Sequence, residues 1–308
     1  MEHVSKAPLY LGQELYDIVS RVLAKSITDL PNNLTAVVSG FIGPVPGSLL
    51  KCIGRGYTDL TSALLAKGLQ AKKLTIWKEV AGIYSADPTK VEDAKLLHEI
   101  SPEEAAELTY YGAEVINPFT MRQVTQSGVS IQIRNVRDPT SQGTMIHNEA
   151  SHSKCCTDES AVAVTLKEGI SILNITSRLV TAPQLFFAEI FTLLNQHGVI
   201  VDLISTSRVN LSMAIPADHL SDALIRDLQK IGIVSRSDGL SILSLIGQAM
   251  RRRIGISAQM FTTLAATGVN IEMISQGASE INISCVISSE NSLRALCAIH
   301  SSLLQPEI

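Results

Sequence analysis

The chain has 308 residues, 45% of them hydrophobic and 18% charged, with a formal net charge of −4. That composition supports a sizeable buried core in two or three domains and excludes whole-chain disorder. A pI of about 6.0 argues against a nucleic-acid-binding surface, and no apolar run approaches the ~18 residues of a membrane span.

Leu11, Leu15, Ile18, Val19 and Val22 recur at spacings of three and four, which predicts a helix over 9–28. After a turn at Pro31-Asn32-Asn33, the run Thr35 to Ser39 suggests a short buried strand. A loop rich in Gly and Pro covers 40–56, a helix follows over 59–68, and Leu74 to Trp77 is again strand-like. Strand, glycine-rich loop, helix and strand is the rhythm of an α/β domain. Ser101 as N-cap, Pro102 at the first helical position and Glu104 completing a capping box start a helix that runs to about Tyr111. Glu103, Glu104 and Glu107 are expected on its exposed face. A further helix starts near Pro118, and Val129 to Asn135 alternates as a strand. The polar stretch 138–159 is expected to be a domain boundary.

The C-terminal half contains an internal repeat. Phe191 to Ser205 matches Phe261 to Ser275 at an offset of 70, and Arg208 to Ile215 matches Glu280 to Ile287 at an offset of 72. Helices are expected at about 183–197 and 217–230 in the first copy, and at 251–267 and 290–304 in the second. Each copy has the order of a ferredoxin-like βαββαβ unit. Edge-to-edge pairing of two such units hides exposed strands, so a dimer through this half is expected.

Two motifs could carry chemistry. In Gly54-Arg55-Gly56-Tyr57-Thr58-Asp59 the glycines permit close backbone approach, the next helix attracts anions, and Arg55 could clamp a carboxylate. An ordinary helix cap with a surface arginine accounts for the same residues. The second motif, Trp77 to Pro88, ends a strand in charge and presents Tyr84 and Asp87 on a turn. A solvated turn with Trp77 packed on Tyr84 is the competing reading. Cys52, Cys155, Cys156, Cys285 and Cys297 are odd in number and lack metal-ligand spacing, which fits reduced thiols in a cytoplasmic protein. Met1 to Lys6 has no apolar region, so no secretory leader is expected.

Val45-Pro46-Gly47, the run Ile53 to Asp59, Trp77 to Tyr84 with Asp87-Pro88, and Thr109 to Pro118 occur in an order that closely resembles aspartokinase in its fungal form. The repeat is similar to the paired ACT domains of that family. The resemblance implies the C-terminal part of an amino acid kinase α/β/α sandwich over 1–147, followed by ACT domains over 158–236 and 237–308. It implies phosphoryl transfer from ATP, with Mg2+, to the side-chain carboxylate of L-aspartate, giving 4-phospho-L-aspartate in aspartate-family amino acid biosynthesis. A diverged paralogue feeding a specialised pathway is one form of this reading. Carried over residue by residue, Arg55 would hold aspartate with Thr58 beside it, and Asp59 would orient the reacting groups. Lys78, Glu79, Tyr84, Glu114 and Val115 would line the nucleotide. Asp202, Thr206, Ser207 and Asn270 would contact an amino acid effector, threonine or lysine.

The family's opening strand and Lys-Phe-Gly-Gly-Thr loop have no counterpart in these residues. The expectation is a chain that starts within the kinase domain and is inactive by itself. The alternative function is a non-catalytic regulatory subunit pairing with a full-length aspartokinase. Leu185 stands where the second repeat has Gly255, and Arg208 where it has Glu280. Both changes are expected to weaken effector binding in the first repeat. Neither nucleic acid nor membrane is expected as a partner.

Overall fold

The computed structural model describes residues 13–31, 33–41, 56–111, 116–147, 162–178, 183–277 and 281–304. The chain divides after Val162 into two compact units. In the N-terminal unit the order is α1 (Gln13–Thr28), α2 (Tyr57–Gly68), β1 (Lys73–Lys78), β2 (Glu99–Ile100), α3 (Pro102–Tyr110), α4 (Pro118–Thr125), β3 (Ser130–Asn135) and β4 (Thr144–Ile146). The sheet order is β1-β3-β4-β2. β1 runs parallel to β3, from Lys73 opposite Ser130 to Lys78 opposite Asn135. β4 is antiparallel to β3 and parallel to β2.

Helix α1 docks on α2 through Tyr16, Leu60 and Leu64, with Val19 against them. Ser20 Oγ donates to the Leu64 carbonyl at 2.8 Å, and Lys67 pairs with Asp17 at 2.7 Å. A Cβ on Gly68 would stand 2.4 Å from the Ser20 carbonyl oxygen, so only glycine fits this helix crossing. The capping box at Ser101 forms as the sequence indicates. Its hydroxyl accepts from Glu104 N at 3.1 Å, and Glu104 Oε2 accepts from Ser101 N at 3.1 Å.

Three expectations need correction here. Thr35 to Ser39 is irregular and largely exposed, with Val37 95% exposed, because the run finds no neighbouring strand among the described residues. The polar stretch from 138 holds a strand, β4, whose Thr144 and Ile146 are buried against β3. Glu104 is only 4% exposed, because its reciprocal capping bonds draw it inward.

The C-terminal unit contains β5 (Ala163–Ser177), α5 (Pro183–Gln196), β6 (Leu203–Thr206), β7 (Asn210–Pro216), α6 (Asp222–Ile231), β8 (Gly232–Ile246), α7 (Ile256–Ala266), β9 (Met273–Ser275), β10 (Asn282–Ser288) and α8 (Ser292–Leu303). One six-stranded sheet has the order β6-β7-β5-β8-β10-β9. The position 236/237, where one repeat was expected to give way to the next, lies inside β8, which runs unbroken. Both long strands serve both repeats. The first repeat uses the second half of β5 and the first half of β8, where Ile172 to Ser177 pairs with Ser237 to Gly232. The second repeat uses the second half of β8 beside β10, flanked by Ala163 to Lys167 of β5.

The changeover falls at Gly169 and Gly239, with φ of 73° and 71°. Both lie in the left-handed region that glycine enters without strain, and the β5–β8 register shifts beside Gly169. Around them Gly169-Ile-Ser-Ile-Leu173 repeats as Gly239-Leu-Ser-Ile-Leu243, again at an offset of 70. Lys167 lies opposite Ile242, and Ser237 opposite Ile172, so the pairing is two-fold symmetric. Helices α5 and α6 cover the first repeat with Phe186, Ile190, Leu194, Leu224 and Leu228. Met260 and Leu264 of α7, with Leu296 and Ile299 of α8, are among the buried residues of the second helix pair.

Candidate active site

Gly56 precedes α2 in the left-handed conformation at φ 92°. Asn117 is its neighbour, 3.7 Å from where a Cβ would sit. Asp59 lies in the first turn of α2, where a carboxylate complements the unpaired helix amides. Lys78 ends β1. Its Nζ stands 2.7 Å from Asp59 Oδ2, with the lysine side chain 30% and the aspartate side chain 18% exposed. The C-terminal end of a parallel strand and the start of a helix thus meet through an ion pair, at the edge where open α/β sheets take ligands. Thr58 is exposed, with its side chain against Gly40. The Thr61 hydroxyl donates to the Gly40 carbonyl at 2.6 Å and ties residues 40–41 to α2.

The other expected residues are placed apart from this pair or lie outside the described residues. Glu79 meets Arg137 at 3.2 Å with both side chains exposed, a solvated pair of small energetic weight. Tyr84 is half-buried and bridges to Leu96. Asp87 accepts from Thr89 N and Oγ1 at 2.9 and 2.7 Å, closing its own turn. The Trp77 ring packs under the Arg134 guanidinium, 4.7 Å from the centroid. Arg55, Glu114 and Val115 lie outside the described residues.

In the C-terminal unit Asp202 Oδ1 pairs with Lys167 Nζ at 2.7 Å, while Oδ2 is sealed from solvent without a partner among the described residues. Thr206 is exposed at the end of β6. Ser207 closes the β6–β7 turn, its N–H donating to Asn210 O at 2.8 Å. Asn270 Nδ2 donates to Glu272 Oε1 at 3.0 Å. Leu185 lines a pocket of about 420 Å³ together with Leu193 and Ile231. It is 66% exposed, because α5 begins at Pro183 and places Leu185 within the helix, whereas Gly255 is the left-handed N-cap of α7. Lys167 escaped the sequence reading, although the repeated Gly-x-Ser-Ile-Leu beside it was a usable signal.

The fold is that of an amino acid kinase unit followed by ACT-type repeats. Residues 8–135 match the amino acid kinase family, and residues 243–303 match an ACT domain. The chain is a homologue of the aspartokinases. It is 45% identical to the aspartokinase of Schizosaccharomyces pombe, over 96% of this chain and 61% of that protein. Escherichia coli aspartokinase III in complex with aspartate and ADP is similar, with a TM-score of 0.74 and 31% identity over 83% of this chain and 57% of the other. The same enzyme in complex with lysine and aspartate gives a TM-score of 0.70 and 32% identity, again over 83% of this chain and 57% of the other. The chain therefore spans about three fifths of the length of the relatives it matches.

Proposed function

We propose that this chain serves an aspartate kinase, which moves the γ-phosphoryl group of ATP to the side-chain carboxylate of L-aspartate. The observation that carries this reading is the Asp59–Lys78 pair at the meeting of α2 and β1 in an aspartokinase homologue. Two anions must come together in this reaction, so orientation and charge compensation dominate the barrier. Lys78 supplies a cation and the start of α2 supplies unpaired amides, and both suit phosphate oxygens. Asp59 holds the Lys78 ammonium in place and is a carboxylate of the kind Mg2+ takes alongside phosphates. The ion would neutralise phosphate charge there. Arg55 and Thr58 belong to the same motif and take the aspartate side of the site. The paired ACT-type units take an amino acid effector, threonine or lysine, and form a homodimer of a cytoplasmic enzyme.

The test joins this chain to the segment of the S. pombe aspartokinase that it does not match. The chimera is given MgATP, L-aspartate and hydroxylamine, which traps an acyl phosphate as the hydroxamate. Hydroxamate that requires both substrates is the expected result. A folded chimera that forms none contradicts the reading.

A further inference from the structure

Thr61 lies one turn along α2 from Thr58, so the two side chains are neighbours on the helix surface. It is 2% exposed, and its hydroxyl stands 2.6 Å from the Gly40 carbonyl oxygen and 3.0 Å from that of Tyr57. A hydroxyl carries one proton, and the shorter distance assigns it to Gly40. This is not the default of a helical hydroxyl, which bonds back to a carbonyl of the preceding turn. Ser26, Ser62, Thr109 and Thr125 of the same unit follow that default. Thr61 instead directs its proton to a segment 21 residues away.

The backbone at Gly40 is held from a second side. A Cβ there would stand 2.6 Å from Thr58 Cγ2 and 2.9 Å from Thr58 Oγ1. Glycine is required at this position by close approach, and its α-carbon sits on both branches of the Thr58 side chain. Thr58 is otherwise exposed on the first turn of α2, where several staggered rotamers would be open to it. The chain at residue 40 is thus bonded to Thr61 and seated on Thr58. Asp59, with its Lys78 partner at 2.7 Å, lies in the same turn.

We propose that Thr61 is a positioning residue for the aspartate side of the site, a role that rests on the kinase reading of Thr58. The Thr61 hydrogen bond fixes the Gly40 backbone, and the seated backbone fixes the rotamer of Thr58 and so the direction of its hydroxyl. Thr61 itself is buried beneath the first turn and acts only through its neighbours. Without its hydroxyl the part-buried Gly40 carbonyl loses its donor, and residue 40 is free to move off Thr58. A reacting carboxylate held in a slightly wrong place loses rate steeply. The effect should fall on aspartate and spare ATP, because Lys78 on the nucleotide side is held by Asp59 and not by Thr61.

Two variants test this. Thr61→Val keeps the branched shape and removes the proton, whereas Thr61→Ser keeps the proton. In the S. pombe chimera Thr61→Val should raise KM for L-aspartate about fivefold or more and leave KM for ATP at the parent value. Thr61→Ser should restore the parent KM for aspartate. A second measurement needs no turnover. The Gly40 carbonyl and the Phe41 N–H belong to one peptide unit, so the Phe41 amide resonance senses the Thr61 bond. In the whole chain with isotope-labelled phenylalanine, that resonance, assigned with Phe41→Leu, should move in Thr61→Val and hold its place in Thr61→Ser. An unmoved resonance in Thr61→Val would overturn the proposal. So would a Thr61→Val chimera with the parent KM for aspartate, or one whose KM for ATP rises as much. A parent chimera that forms no hydroxamate counts against the kinase reading alone, and the resonance then decides whether Thr61 holds Gly40.

Discussion

Asp59 and Lys78 are nineteen residues apart in sequence and 2.7 Å apart in space, and neither side chain is more than one third exposed. A half-buried charge that loses its partner keeps its desolvation cost without the Coulombic return. Lys78→Met should therefore destabilise the fold by about 1–3 kcal/mol, between the values for exposed and fully buried pairs. The double variant Asp59→Asn with Lys78→Met should lose less than the sum of the two single changes. Urea unfolding of the four proteins of this cycle measures the coupling.

The α1–α2 crossing gives a second stability prediction. Gly68→Ala would raise helix propensity by up to ~1 kcal/mol, yet its Cβ would meet the Ser20 carbonyl oxygen at 2.4 Å and the Ala24 Cβ at 2.8 Å. The clash involves backbone that cannot retreat without parting the helices, and overpacking of this kind costs about 1–3 kcal/mol. The clash should win, with a lower thermal midpoint for the variant.

Asp238 sets a pH dependence. A hydrogen bond from the buried Ser171, then one from Arg236, hold its carboxyl below the ordinary 3.8. A depressed folded-state value adds stability that is fully present above the unfolded value and is lost as pH falls through the folded one. Asp238→Asn should therefore flatten the loss of stability below about pH 4, while the neutral-pH curve keeps its shape. Denaturant midpoints across pH 2–7 check this.

Local signals in the sequence were dependable where local chemistry decides the structure. Ser101, Pro102 and Glu104 announce a helix start because the capping bonds close within three residues. The same holds for the Gly56-to-Asp59 turn into α2. The exposed run 35–39 was not legible, since four apolar or β-branched residues followed by a serine make a strand only when a neighbour supplies the ladder. β4 was hidden in polar sequence because its burial comes from β3. The Lys167–Asp202 pair joins residues 35 apart, and only the repeated Gly-x-Ser-Ile-Leu beside Lys167 marked that stretch of the sequence. Leu185 and Gly255 align in sequence but differ in backbone role, because Pro183 starts α5 two residues before Leu185 whereas Gly255 is itself an N-cap.

Cys285 sits fully buried in β10, and burial pushes its thiol up to about 12. Thiolate is the reactive form, so Cys285 should resist a thiol-directed reagent at pH 8 in the folded chain. Comparing Cys285→Ala with wild type should show equal labelling when native and one equivalent fewer when unfolded. A loss of native labelling in the variant would mean that β10 opens.

The most direct test of the kinase account compares the S. pombe chimera with its Lys78→Met variant in the hydroxamate assay, with Arg137→Ala as a control outside the site. Removing one preorganised charge stabiliser costs about 10²–10³ in rate, so Lys78→Met should lose that much turnover while Arg137→Ala keeps the parent rate. A Lys78→Met chimera that matches its parent in turnover and in KM for ATP would contradict the assignment of this site.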